Sequence, residues 1–238
     1  MKAMIFAAGM GTRLRPITNN IPKALVQVNG KTMLELVIEK LIRHGFDEII
    51  INVHYFAEKI IRYLDKNNNF GIRIEISNES DLLLDTGGGL KKAGWFFDDD
   101  RPFLLHNVDI LSTVDLGQMY DHHLKTNNLA TLSVQDRNSS RKLRFNNEAL
   151  LCGWADKKKG EEKISRLTDS FMEYAFNGIH VIDPKIFTMI EEEGVFSIID
   201  LYLRLAGNHD IGYYFNDHDS FLDIGTPEQL KRAGGDYN

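Results

Sequence analysis

The chain of 238 residues opens with groups suited to handling phosphate. Gly9-Met10-Gly11-Thr12-Arg13 follows the apolar run Lys2–Ala8. Glycines at the end of a buried strand let backbone N–H groups approach an anion closely. Arg13 adds a guanidinium that can grip phosphate oxygens in pairs, and Lys23, after the fixed bend of Pro22, adds a point charge. Residues 1–34 hold Lys2, Arg13, Arg15, Lys23 and Lys31 without one acid, although the whole chain carries a formal charge of −6. A local cationic field in an acidic protein fits a small anionic ligand.

Two familiar phosphate loops fail on spacing. The dinucleotide fingerprint needs a third glycine where Leu14 stands, and a Walker A loop ending at Gly30-Lys31-Thr32 needs one where Leu25 stands. Gly30-Lys31-Thr32 reads instead as a turn with Thr32 capping a helix. Two aspartates are the other chemical candidates. Asp109 follows a strand-like run at the end where open α/β sheets place ligands. Asp223 lies between Leu222 and Ile224, where an acid is costly unless it is paired or binds a metal. Each alone reads as an N-cap or an ion pair before it reads as a ligand. Together, beside a phosphate loop, they suit Mg²⁺, which takes one or two carboxylates plus phosphates and water. Other clusters lead nowhere. His122-His123 are neighbours that cannot face one ligand from a helix, and they read as surface residues. The serines have no Gly-x-Ser-x-Gly context.

The elements that must position these groups alternate. Strand patterns cover Lys2–Ala8, Glu48–His54, Ile72–Ser77, Phe103–Asn107, Leu129–Gln135 and Ala175–Ile182. Helical spacing covers Met33–His44, Phe56–Asn67, Leu116–Thr126, Ser197–Ala206 and Pro227–Ala233. This predicts an α/β fold: a Rossmann-like, mostly parallel mixed sheet with helices on both faces, in a single domain over 1–238. The polar stretch 136–170 reads as a small inserted β arm. Asn177-Gly178 interrupts the apolar strand Ala175–Ile182, as a β-bulge or as an amide offered to sugar hydroxyls. Hydrophobic residues at 43% and charged ones at 26% exclude long disorder. The acidic balance argues against nucleic-acid binding. No apolar run reaches the ~18–20 residues of a membrane span. The lone Cys152 excludes an intramolecular disulfide, and with no signal peptide the cytoplasm is the expected compartment. The oligomeric state is not legible.

Ala7–Pro16, with Pro22-Lys23-Ala24-Leu25-Val26, resembles the signature of the sugar-1-phosphate nucleotidyltransferases. Asp85-Thr86-Gly87-Gly88-Gly89 is similar to that family's glycine-rich base-recognition loop. Asn107-Val108-Asp109 resembles its strand end, with Val108 in place of the usual glycine. Leu222–Glu228 is similar to its terminal Asp-x-Gly-Thr-Pro block. The length and the Thr-Gly-Gly-Gly form look most like the compact branch, which includes N-acetylmuramate-1-phosphate uridylyltransferases and short mannose-1-phosphate guanylyltransferases. The resemblance implies nucleotide-diphospho-sugar transferase architecture. The reaction it implies joins an NTP to a sugar 1-phosphate and releases pyrophosphate, with Mg²⁺ on Asp109 and Asp223. Arg13 and Lys23 would be catalytic. Ala8, Gly9, Gly11, Thr12, Gly88 and Asn107 would bind nucleotide, and Asn177 would bind sugar. UTP with an amino-sugar 1-phosphate is the first expectation, and GTP with mannose or heptose 1-phosphate the second. A non-catalytic nucleotide-sugar-binding regulator is the alternative of another class, with no need of Arg13, Lys23, Asp109 and Asp223 together.

Overall fold

A computed structural model describes residues 1–216 and 219–236. In chain order the elements are β1 (Lys2–Phe6), β2 (Gln27–Val28), β3 (Lys31–Thr32), α1 (Met33–Arg43), β4 (Glu48–Val53), α2 (Ala57–Lys66) and β5 (Arg73–Asn78). There follow α3 (Asp85–Ala93), β6 (Phe103–Asn107), β7 (Ile110–Ser112), α4 (Leu116–Thr126), β8 (Ala130–Gln135), β9 (Arg141–Phe145), β10 (Leu151–Asp156) and β11 (Glu161–Ile164). The last are β12 (Met172–Ile182), α5 (Ile198–Leu205), β13 (Ile211–Phe215), β14 (Phe221–Asp223) and α6 (Pro227–Asp236). The class is α/β, a mixed sheet with helices, as the alternation implies. Two compact units divide the chain: one of Met1–Leu83, Leu105–Leu116 and the segment from Ser220 onward, the other of Leu84–Leu104 and Gly117–Asp219.

The first unit holds two parallel ladders. β1 pairs with β4 from Lys2↔Glu48 to Phe6↔Asn52, and β4 pairs with β5 from Glu48↔Arg73 to Val53↔Asn78. β1 and nearly all of β4 are buried, which explains their unbroken apolar text. α1 begins where Thr32 Oγ1 accepts the Glu35 N–H at 3.1 Å, the cap expected at Gly30-Lys31-Thr32. It ends before Gly45, whose φ of 81° closes the helix. Leu14 from the first loop is buried with Val26, Val28, Met33, Leu111, Ile224 and Ala233. The two ends of the chain thus share one apolar cluster.

The second unit is mainly antiparallel. β9, β10 and β11 form a meander inside 136–170. β12 pairs first with β9 and then with β8, and its register with β8 shifts between Phe176 and His180. β8 and β13 run parallel.

Two readings change. The triple glycine is no loop: Gly87, Gly88 and Gly89 lie buried in the first turns of α3. Each glycine disfavours a helix by roughly 1 kcal/mol, so local propensity points away from one and tertiary contact overrides it. His123 is also not a surface residue. It is 2% exposed, and its Nδ1 lies 2.9 Å from Thr131 Oγ1. Only one face of α4 meets solvent, and adjacent residues on a helix point in different directions.

Candidate active site

The first loop is pinned from both sides. At the end of β1 the Ala7 N–H donates to Asn52 Oδ1 at 2.7 Å, and the Asn52 amide donates to Glu79 Oε1 at 2.8 Å. Both partners are buried. Gly11 takes the left-handed conformation, φ 63°, that a side chain resists. Its carbonyl accepts from Thr18 Oγ1 at 2.7 Å and from the Leu14 N–H at 3.0 Å. A β-carbon at Gly11 would sit 3.0 Å from Lys23 Cβ and 3.0 Å from Thr18 Cγ2, so Lys23 packs directly under the loop. At Gly9 a β-carbon would meet nothing within 4 Å, which leaves the backbone there open beside buried Ala8. Thr12–Leu14 make one tight turn that sends Leu14 inward and leaves Thr12 and Arg13 exposed. Among the described residues Arg13 makes no hydrogen bond or ion pair, so its guanidinium is available to an anion.

The same unit carries the two aspartates. Lys23 is buried, and its ammonium forms an ion pair with Asp109 Oδ2. The side chains are 10% and 23% exposed, so each charge depends on the other for solvation. Asp109 follows β6. The preceding Val108 donates its N–H to Phe6 O at 3.1 Å and is 4% exposed. Its branched side chain is therefore core. β14 pairs antiparallel with β7, placing Asp223 opposite Ile110, and the Ile224 N–H donates to Asp109 O at 2.8 Å. Asp109 and Asp223 thus stand on adjoining backbones, with Gly11 above Lys23 and Lys23 against Asp109. Arg13 reaches the same place, since its guanidinium packs on Gly225. The sequence spreads these groups from Gly11 to Gly225; the β7–β14 ladder and the Leu14 cluster bring them together.

The donor set fits Mg²⁺. Asp223 ends β14 and Asp109 lies in the turn between β6 and β7, joined to the residue after Asp223 by the Ile224 N–H, and no cluster of three His, Cys, Asp or Glu occurs among the described residues. Magnesium uses few protein ligands and completes its shell with phosphate and water, whereas structural zinc requires four.

Asn107 ends β6 and is partly exposed in the first unit. Gly88 and Asn177 belong to the second unit. The Gly87 and Gly88 N–H groups both donate to Phe196 O, at 2.9 and 3.3 Å. Asn177 is fully buried: its amide donates to Asn216 Oδ1 at 3.1 Å, and its Oδ1 lies 3.3 Å from Arg137 Nε. These partners are distant in sequence, and β12 shifts register against β8 at this point. Sequence reasoning missed Thr18, Asn52 and Gln229, and it named Gly225 only as part of the Leu222–Glu228 block, without a role. Only Thr226-x-x-Gln229, a capping-box spacing, carried a local signal.

A profile described as Nucleotidyl transferase matches residues 2–238, and the chain belongs to that family. It is 31% identical over 212 residues to the N-acetylmuramate alpha-1-phosphate uridylyltransferase of Caulobacter vibrioides, covering 87% of this chain and 84% of that one. It is 29% identical over 236 residues to the mannose-1-phosphate guanyltransferase of Yarrowia lipolytica, covering 97% of this chain but 62% of the relative's length. The crystal structure of HddC from Yersinia pseudotuberculosis superposes over 100% of this chain and 99% of that one, with a TM-score of 0.80 at 23% identity. That likeness establishes the fold.

Proposed function

We propose that the protein transfers a nucleotidyl group from an NTP to a sugar 1-phosphate, giving an NDP-sugar and pyrophosphate. One observation carries this reading: the open Gly9–Gly11 loop, the available Arg13 guanidinium, the Lys23–Asp109 pair and Asp223 meet within a single compact unit. The attacking group needs no activation, because a phosphate monoester with a second pKa near 6 is mostly a dianion at pH 7.

The protein's work is alignment and charge neutralisation. Backbone N–H groups of Ala8, Gly9, Gly11 and Thr12 line the triphosphate. Arg13 holds the β- and γ-phosphates and balances the charge that builds on the departing pyrophosphate. Lys23, held rigidly under Gly11, meets the α-phosphate or the sugar phosphate. Asp109 and Asp223 would hold Mg²⁺, which when bound neutralises charge between the two phosphates. Asn107 is assigned to the nucleotide.

UTP with an amino-sugar 1-phosphate is the first substrate pair, supported by the Caulobacter relative, which is matched over most of its length. GTP with mannose or heptose 1-phosphate is the second, supported by the Yarrowia relative. Four NTPs tested against several sugar 1-phosphates and phosphocholine, scored by Mg²⁺-dependent pyrophosphate release, decide the matter. A single productive NTP and sugar is expected. No release from any pair would leave a binding protein and overturn the proposal.

A further inference from the structure

We infer that Gly225 is a positioning residue for Arg13, and that the first turn of α6 holds it there. The inference rests on the reading of Arg13 as the group that holds the nucleotide phosphates. Gly225 is buried, just beyond β14 and two residues after Asp223. A β-carbon at position 225 would lie 2.9 Å from Arg13 Nη2 and 3.0 Å from both Cζ and Nη1. The guanidinium therefore lies against the bare α-carbon face of Gly225. A planar cation that must grip oxygens in its own plane needs one face supported and its edge left open. Gly225 supplies that support, and Arg13 has no hydrogen bond or ion pair among the described residues to fix its direction instead.

The backbone explains why the support stays in place. The Gly225 N–H donates to Gln229 Oε1 at 3.0 Å, and the Gln229 N–H donates to Thr226 Oγ1 at 3.3 Å. This is a capping box shifted by one residue, so that the glutamine reaches back to the residue before the cap. On the other side the Ile224 N–H is tied to Asp109 O. Gly225 is thus clamped between the aspartate pair and the helix start. It is not one of the positive-φ glycines, so its backbone accepts any residue. The nearest atoms to an added methyl are the far end of a flexible side chain. Alanine there disturbs the fold little and moves the guanidinium, which separates a positioning role from a structural one.

The test is a double-mutant cycle on the productive NTP and sugar 1-phosphate pair, read as kcat and KM by pyrophosphate release, with melting temperature alongside. Gly225→Ala is expected to lower kcat about 10²-fold, the order of effect a misplacement near 1 Å produces, while KM for the sugar 1-phosphate stays near wild type. In an Arg13→Ala background the same change should cost less than about twofold, because contacting residues that act through one group are not additive. Gln229→Ala frees the Gly225 N–H without altering position 225. It should lower kcat about tenfold, in an Arg13-dependent way, and Gln229→Glu, which keeps an acceptor, should restore the rate. Undiminished loss from Gly225→Ala or Gln229→Ala in the Arg13→Ala background would overturn the inference. So would a wild-type rate for Gly225→Ala. A wild-type rate for Arg13→Ala alone would instead remove the reading of Arg13, and this inference with it.

Discussion

Two glycine-rich segments look alike as text and do opposite things. Gly9-Met10-Gly11 in the first unit leaves room: a β-carbon at Gly9 would meet nothing, and Gly11 turns the chain over Lys23. Gly87-Gly88-Gly89 in the second unit fills room. A β-carbon at Gly87 would lie 2.3 Å from the Phe196 ring, and one at Gly88 would lie 2.3 Å from Gly194 O. The Gly87 and Gly88 N–H groups are spent on Phe196 O, and Ile198 N–H donates to Thr86 Oγ1 at 2.9 Å. The first segment is open at Gly9, as the proposed nucleotide site requires; the second lacks side chains to admit its own chain. A glycine's meaning depends on what stands opposite its α-carbon.

The largest effect is expected from Arg13→Ala, the charged group of the open loop. Loss of a charge acting mainly in the transition state should lower kcat on the order of 10²–10³-fold with the melting temperature unchanged. A near-wild-type rate at saturating Mg²⁺ would contradict the assignment. Gly87→Ala should instead destabilise the fold by about 1–3 kcal/mol, as overpacking does, visible as a lower urea midpoint. Gly9→Ala should leave that midpoint within about 0.5 kcal/mol of wild type and raise KM for the NTP, because only a bound nucleotide meets the new methyl. Equal destabilisation by Gly9→Ala and Gly87→Ala would erase the distinction.

The smallest effect is on pH dependence. Burial lowers the His123 pKa to about 4, and burial aided by the Lys40 charge lowers that of His106 to about 3, from a usual 6.5. The unfolded chain therefore takes up protons first as pH falls. Stability contributed by the neutral rings is complete above about 6.5 and is lost progressively toward pH 4 and then 3. His123→Asn should flatten the fall in urea midpoint between pH 6.5 and 4. An unchanged slope would show that His123 titrates alike in the folded and unfolded chain.

Much of the fold was legible. The buried strand Lys2–Phe6, the capped helix at Met33 and the strand before Asp109 appear within one or two residues of their predicted bounds, because apolar periodicity and glycine or threonine punctuation are local. β7 and β14 were not foreseen. At three residues each they carry no periodic signal, and they exist only by pairing with each other. α3 was misread because its glycines earn their place through Phe196 and Gly194, more than 100 residues away. At the site, Arg13, Lys23, Asp109 and Asp223 were legible from residue type and resemblance. Thr18 and Asn52 were not, and Gly225 was legible as part of the terminal block but not for its contact with Arg13, since these are contacts across the fold.

The order of the residues was enough to determine that this chain carries a cationic, glycine-opened loop, two isolated acids and the alternation of an α/β protein. Those are properties of short segments, fixed by charge, chain flexibility and hydrophobic period. Only the tertiary structure decided that Lys23 rests on Asp109, that Asp223 lies beside it, and that Gly225 lies under Arg13. These are contacts between distant segments, chosen by a strand pair and a shared apolar cluster that no local window contains.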